Sequence, residues 1–254
     1  MKEWIFGRNP VYEVLRARRR DPFRLLIAQG SEDNERLSEI LSLSAARKLR
    51  AERVPRQQID ALAKGSGSGE QNAQGVALEA SSYPYAALAD ILDLANKSGQ
   101  PLFLLALDVI QNPQNLGTLL RTAEAVDVHG VLLPLRRAAG ITPAVVHASS
   151  GASEHLLVAQ ANLHQALSEL KEAGAWVIGL DAGPQAQPIA EVRLDGPLAL
   201  VVGSEGEGMR SLVRQSCDAL VRLPMLGKVE SLNAAVAGSV GLYLALQSRT
   251  KSKP

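Results

Sequence analysis

A few polar side chains stand where the chain pattern calls for a turn or a helix start. Ser231 and Asn233 lie in LPMLGKVESLNAAVAGSVGLYLAL (Leu223–Leu246), which reads as a short apolar strand, a turn and a helix. Both fall at the beginning of that helix. A helix N-terminus carries unpaired N–H donors and a partial positive charge, so it suits a polar or anionic group. Asn115 and Arg121 lie in DVIQNPQNLGTLLRTA (Asp108–Ala123). Asn115 sits where an N-cap belongs, ahead of a helix from Leu116 onward. Arg121 shares a face with Gly117 and Ala125, which have little bulk. A guanidinium there is either a surface charge or a grip for phosphate. Glu205 lies in LALVVGSEGEGM (Leu198–Met209), between Gly203, Gly206 and Gly208. That loop has neither the Lys of a phosphate loop nor the spacing of a dinucleotide site. Alone it is an ordinary strand-to-helix turn.

The elements that must hold these residues alternate. Apolar runs at Leu102–Leu107, Gly130–Leu135, Ala175–Leu180, Leu198–Val202 and Leu220–Leu223 read as buried strands separated by helices. Such alternation predicts a parallel sheet with helices on both faces, whose ligands bind beyond the carboxyl ends of the strands. Asp108, Asp181, Gly203 and Met225 each follow a strand end. The last helix has small residues (Ala234, Ala237, Gly238, Gly241, Ala245) along one face and Leu232, Val236, Val240 and Leu244 along another. Gly inside a helix costs about 1 kcal/mol against Ala, so another backbone is expected to lie close to Gly238 and Gly241.

Three elements occur together and in order: Asn115-Leu-Gly117 with Arg121-Thr-Ala123, Gly203-Ser-Glu205-Gly206-Glu-Gly208, and Pro224-Met225-Leu-Gly227 with Ser231-Leu232-Asn233-Ala-Ala. In this they closely resemble the SpoU family of RNA ribose 2′-O-methyltransferases, within the SPOUT superfamily, and most of all its large-subunit ribosomal RNA guanosine branch. The resemblance is strong from Leu102 to Leu246 and weaker before that. It implies an α/β fold: a methyltransferase domain over 101–250 with a C-terminal trefoil knot, a linker over 81–100, and a small α/β substrate-binding domain over 1–80 similar to ribosomal protein L30e. Knots are very rare in proteins, and the strand pattern alone does not suggest one. The implied methyl donor is S-adenosylmethionine, held through backbone groups at Gly203, Leu223, Met225 and Leu232, with Leu180 and Asp181. As side chains, Leu223 and Leu232 read simply as core. The resemblance puts Arg121 on the substrate, either as the base for the 2′-hydroxyl or as a grip on the adjacent phosphate. A guanidinium is a poor base, whereas holding phosphate is its ordinary task. Asn115 would orient Arg121 or the ribose, Glu205 would fix the loop or Arg121, and Ser231 and Asn233 would position the hydroxyl or the donor's polar end. Glu207 and Glu230 read as solvated charges. A homodimer through the knotted region is also implied, and the small-residue face of the last helix fits either that packing or packing within one chain.

The N-terminal part mixes short elements: helices at Pro10–Arg18 and Asn34–Ala51, strands at Phe23–Ala28 and Gly75–Glu79, and a loop at Gly65–Gly69 (GSGSG). Tyr85–Asn96 reads as a helix after Pro84. The family's Asn-His-Gln-Gly element stands here as Asn72-Ala73-Gln74-Gly75, with Ala in place of His.

Of the 254 residues, 46% are hydrophobic, enough for a substantial core, and only 4% are aromatic, which argues against base stacking as the main mode of RNA contact. Residues 1–80 hold 14 Lys/Arg against 11 Asp/Glu, a net +3, leaving −2 for the rest. The basic residues cluster at Arg16, Arg18, Arg19, Arg20 and Arg24. That cluster is either a solvated helix end or a contact for RNA phosphate, with Arg18 and Arg19 as the candidates. Single Cys217 forms no internal disulfide, and His129, His147, His155 and His164 lack metal-ligand spacing. With no signal peptide and no long apolar run, the chain reads as soluble and cytoplasmic. The tail residues Arg249, Lys251 and Lys253 read as disordered. Large-subunit ribosomal RNA is the leading substrate. A transfer RNA, a ribosomal site where methylation blocks an antibiotic, and a non-catalytic assembly factor remain alternatives.

Overall fold

The computed structural model describes residues 1–31, 34–65 and 73–251; the GSGSG run beyond Gly65, Asn72 and Lys253 lie outside them. The chain divides into two compact units. One comprises Met1–Pro84 and Ile141–His155, the other Tyr85–Gly140 and Leu156–Pro254. The chain therefore leaves the second unit after Gly140, contributes a short segment to the first, and returns at Leu156.

The first unit runs β1 (Lys2–Phe6), α1 (Arg8–Ala17), β2 (Pro22–Ala28), α2 (Glu35–Ala46), β3 (Ala51–Val54), α3 (Arg56–Gly65) and β4 (Val76–Ser81). The strands form one sheet in the order β1-β4-β2-β3. Alternate residues of these strands point to one face, where Phe6, Leu26, Ala28 and Ala77 meet Ile59 and Ala63 of α3. The expected helix over Asn34–Ala51 is shorter: Asn34 caps it through Leu37 N–H, and it ends at Ala46. Lys48, at φ 56°, turns the chain out of the helix, and Ala51 already belongs to β3. Strands β1 and β3 had no signal strong enough to read because they are only five and four residues long, and helix α3 because half its residues are charged or Gln.

The second unit contains α4 (Leu88–Ser98), β5 (Phe103–Leu107), α5 (Pro113–Ala125) and β6 (Gly130–Pro134). Helix α6 (Pro143–Ala148) belongs to the first unit. Then follow β7 (Val158–Ala161), α7 (Leu163–Glu172), β8 (Trp176–Leu180), the two-residue β9 (Gln187–Pro188), β10 (Leu198–Val202), α8 (Ser211–Gln215), β11 (Ala219–Arg222) and α9 (Ala234–Lys251). Seven strands form one sheet in the order β7-β6-β5-β10-β8-β11-β9, and every pairing is parallel. All five residues of β5, β6 and β10 are buried, which matches their unbroken apolar runs. The two strands that went unread, β7 and β9, are short and edge-lying.

Residues 85–98 pack into this unit. Ala86 N–H donates to Val158 O, and Ile91 and Ala95 of α4 join the core. The small face of α9 meets side chains, not the expected backbone. A Cβ on Gly238 would lie 2.5 Å from Leu119 Cδ2, and one on Gly241 3.1 Å from Leu180 Cδ1. Glycine is needed there because branched Leu and Val side chains fill the space over the sheet. The close backbone approach is at Gly203, where a Cβ would stand 2.3 Å from Met209 N. Arg249 is part of α9 and is ordered. Its guanidinium donates to Gly196 O at 2.7 Å and to Pro101 O, and stacks 4.8 Å from the Phe103 ring.

Candidate functional site

At the carboxyl ends of β5, β10, β8 and β11 four loops converge, as the sheet topology requires. The loop after β5 is set by Asp108, fully buried. Its carboxylate accepts from Arg210 N–H at 2.7 Å and from Arg210 Nε at 2.8 Å. This pairing fastens the far end of the Gly203–Arg210 loop to β5. Within that loop Ser204 and Gly208 exchange backbone hydrogen bonds, and Gly206 and Gly208 adopt φ 84° and 68°, a region open to glycine.

Helix α5 starts three residues earlier than expected. Its cap is Asn112, whose Oδ1 accepts from Gln114 N–H at 2.8 Å, with Pro113 at the first position, where no N–H is needed. Asn115 is thereby released from capping and points its amide across to the glycine-rich loop. Its Nδ2 donates to Glu205 Oε1 at 3.0 Å. Asn233 Nδ2 donates to Asn115 Oδ1 at 3.2 Å and also to Glu205 Oε1. Asn233 Oδ1 meanwhile accepts from Ala235 and Val236 N–H at 2.9 and 3.2 Å, capping α9. Residues 115, 205 and 233 thus form one hydrogen-bonded cluster joining the first turn of α5, the glycine-rich loop and the cap of α9. The same helices are stitched further along by Thr122 Oγ1 and Ser239 Oγ, 2.8 Å apart.

Beside this cluster opens a cavity of about 790 Å³. Leu180, Asp181, Gly203, Glu205, Leu223, Met225, Ser231 and Leu232 all line it. Its wall also carries Glu207, Glu230, Arg214 and Arg222, so the cavity has both signs of charge. Glu207 and Glu230 are exposed, as solvated charges are, and also line the cavity. Arg214 Nε stands 3.3 Å from Asp181 Oδ2, and Asp181 Oδ1 accepts from Gly183 N–H at 2.6 Å. Behind the wall, burial pushes the Cys217 thiol up to about 12. It packs against Met209 under Gly179, where a Cβ would meet both sulfur-bearing side chains.

Arg121 is exposed on α5, six residues and roughly 9 Å of helix rise beyond Asn115. It is outside the cavity wall. The residues that sequence reasoning passed over are Arg210, which pairs with Asp108, the capping role of Asn112, and Arg214 and Arg222. Only Asn112 carried a legible signal, the Asn-Pro dipeptide of a capped helix start.

In the first unit the basic cluster is largely committed. Arg19 donates to Tyr83 OH and Pro84 O, both at 3.0 Å, and stacks on the Tyr83 ring. Arg20 is buried and grips both oxygens of Glu154 at 2.8 and 2.9 Å, and also binds Glu3. Arg16 pairs with Glu13, and Arg24 with Glu52. Arg18, left-handed at φ 56°, faces solvent.

The model of the SpoU rRNA methylase family matches residues 102–243, more than half of the chain. The chain belongs to the SpoU rRNA methylase family. A second family model, for RNA 2′-O ribose methyltransferase substrate binding, matches residues 4–86. The Bacillus subtilis (strain 168) protein YacO, assigned by name to the TrmH family of tRNA/rRNA methyltransferases, is 38% identical over 248 residues, 97% of this chain and 96% of YacO. Among solved structures, an RNA 2′-O ribose methyltransferase superposes with a TM-score of 0.73 at 26% identity, covering 98% of this chain and 89% of its own. The SpoU methyltransferase AviRb from Streptomyces viridochromogenes, in complex with AdoMet, gives 0.79 at 21% identity over 99% and 92%, a likeness of fold. This member of the SpoU family is an RNA 2′-O-ribose methyltransferase of SPOUT-type α/β fold.

Proposed function

We propose that this enzyme methylates the 2′-hydroxyl of a guanosine in large-subunit ribosomal RNA, in the cytoplasm and as a homodimer. The observation that carries the reading is the hydrogen-bonded cluster of Asn115, Glu205 and Asn233, of which Glu205 lines the cavity. The family's three separated sequence elements meet there in one site.

The methyl donor is S-adenosylmethionine, which when bound presents a methyl group on a positively charged sulfur. The residues present fit it. A cavity of about 790 Å³ is of the size that takes a nucleoside-containing ligand. Its carboxylates (Asp181, Glu205, Glu207, Glu230) suit a sulfonium and an ammonium, its guanidiniums (Arg214, Arg222) a carboxylate. Leu180, Leu223, Met225 and Leu232 would enclose the apolar parts, with Asp181 and the backbone at Gly203 supplying polar contacts.

On the substrate side, Arg121 holds the phosphate next to the reacting ribose, and Ser231 and Asn115 orient the hydroxyl. Glu205, bound to two amides, keeps the glycine-rich loop in register with α5 and α9. Alignment of this kind can supply about 7–11 kcal/mol of the barrier. Residues 1–80, joined by Ile141–His155, form the substrate-binding domain, similar to ribosomal protein L30e; 81–100 lead into the catalytic domain and pack with it from Tyr85 on, and the rest of 101–250 completes that domain with its knotted C-terminus; Arg18 is a surface contact for RNA, with Arg19 beside it. The small face of α9 is filled internally, so the dimer uses the opposite face, where Val236, Val240 and Tyr243 are 48, 39 and 50% exposed.

The test is transfer of labelled methyl from S-adenosylmethionine to deproteinised large-subunit ribosomal RNA from cells lacking the gene, with transfer RNA alongside. Label on one guanosine of the ribosomal RNA is expected. Label on transfer RNA alone overturns the substrate, and label on neither overturns free RNA as the substrate.

A further inference from the structure

The turn after β6, residues 135–140, carries Arg136 and Arg137 side by side and exposed. Among the described residues neither has a hydrogen bond or ion pair. In the basic cluster of the first unit, by contrast, Arg16, Arg19, Arg20 and Arg24 are each held by an acid, a carbonyl or a ring, and Arg18 faces solvent. Leu135 beside them is 64% exposed. The turn is nonetheless fixed in place. Ala139 N–H donates to Ile110 O at 2.9 Å, in the turn whose next residues, through Asn112, cap the helix carrying Asn115 and Arg121. Strands β5 and β6 pair in register from Leu104↔Gly130 to Ala106↔Leu132, so the two turns leave neighbouring strands at the same edge of the sheet. Arg137 adopts φ 62°, a left-handed conformation that costs a non-glycine residue about 1 kcal/mol or more.

We propose that Arg136 and Arg137 form a phosphate-binding pair that holds the RNA strand flanking the methylated nucleotide. The inference rests on the reading of the site as one for RNA ribose methylation, and it deepens it by naming the residues that seat the strand. The guanidinium fork suits two non-bridging phosphate oxygens, and such contacts carry no base identity. The pair therefore sets affinity and register while the selected base is read elsewhere.

The test is the double variant Arg136→Ala/Arg137→Ala in the full-length protein, with Arg136→Lys/Arg137→Lys as the conservative control. Deproteinised large-subunit ribosomal RNA is the probe. The alanine variant is expected to raise the RNA KM roughly tenfold or more, uniformly across RNA sequences. Its plot of log affinity against log salt should be shallower by about 1.4, for two single-strand phosphates at about 0.7 each. The kcat at saturating RNA, the S-adenosylmethionine affinity and the thermal midpoint should stay unchanged, and the lysine variant should recover most of the RNA affinity. Wild-type affinity and salt slope in the alanine variant overturn the pair while leaving the methyltransferase reading intact. An inactive wild type that binds no RNA overturns both.

Discussion

Two polar networks in this molecule are each built around a glutamate and end in opposite circumstances. In the first unit, Arg20 lies fully buried between Glu154 and Glu3, with Tyr83 stacked over it. In the second, Asn115, Glu205 and Asn233 join residues up to 118 positions apart, yet stand open beside a cavity. Both networks tie distant segments together. The first is closed to solvent at Arg20 and Glu154, whose charges meet each other. Burial raises the Glu154 carboxyl above its usual range, and pushes the Tyr83 phenol up to about 12. The second keeps a carboxylate accessible and leaves space beside it. Polar networks of equal connectivity thus divide by solvent: the dry one positions a segment, the wet one offers itself to chemistry.

The comparison breaks most visibly at Glu154. Replacing it by Ala leaves Arg20 buried with its bidentate partner gone, which should cost about 3–5 kcal/mol. Chemical denaturation followed by a signal from the first unit measures it, and a loss below about 1 kcal/mol would show that water reaches Arg20. Asn115→Ala should do the reverse. The amide is half-exposed, so the thermal midpoint should barely move. Methyl transfer should fall by about 10²–10³-fold, the usual effect of removing one positioned polar contact in a catalytic site. An Asn115→Ala enzyme that is unstable but fully active per folded molecule would reverse the assignment of the two networks.

A smaller effect tests what lies beneath the open network. Gly238→Ala places a methyl 2.5 Å from Leu119 Cδ2 and 3.2 Å from Val202. Overpacking of that kind costs about 1–3 kcal/mol, more than the helix propensity of Ala returns. Because α9 carries Asn233 at its cap, the shift should also lower kcat. Thermal melts with single-turnover rates separate the two effects, and a stabilised Gly238→Ala protein would mean that Leu119 can move aside.

How far all this was legible follows the same division. The parallel sheet could be read because β5, β6 and β10 are buried on both faces and therefore uniformly apolar. The positions of Asn115, Glu205, Ser231 and Asn233 after strand ends or at helix starts were legible, since glycine and asparagine mark turns. Their mutual hydrogen bonds were not, because nothing in the spacing of residues 115, 205 and 233 tells which side chains face one another. Asn115 was read as a cap, a local rule, when Asn112 with Pro113 satisfies that rule and frees Asn115 for a long-range contact. The basic run Arg16–Arg24 suggested a surface for RNA. Composition cannot show that Glu154, over 130 residues later, comes back to neutralise Arg20.

His129 sits between the two extremes, half-buried, and offers the mildest test. Its Nδ1 accepts from Phe103 N–H at 2.9 Å, so that nitrogen must keep its lone pair. Nε2 lies 3.0 Å from Ser98 Oγ, whose own proton is directed at Ala95 O, so Nε2 carries the hydrogen and donates. The ring is thereby used in its neutral form, joining α4 to the start of β5. Burial, and then the charge of Arg249, hold its pKa below the ordinary value of 6.5. A histidine depressed in the folded state contributes stability that is complete above the unfolded pKa. That contribution is lost as pH falls through the unfolded value toward the folded one. The thermal midpoint should therefore be flat from about pH 8 to 7 and decline below about 6.5. His129→Asn should melt lower at pH 8 and lose less on acidification, so the two proteins converge toward pH 5.5. Divergence instead, with wild type gaining on the variant as acid is added, would mean that the imidazolium is the form the fold prefers. His129 would then belong with the charged, ligand-facing groups and not with the interior ones.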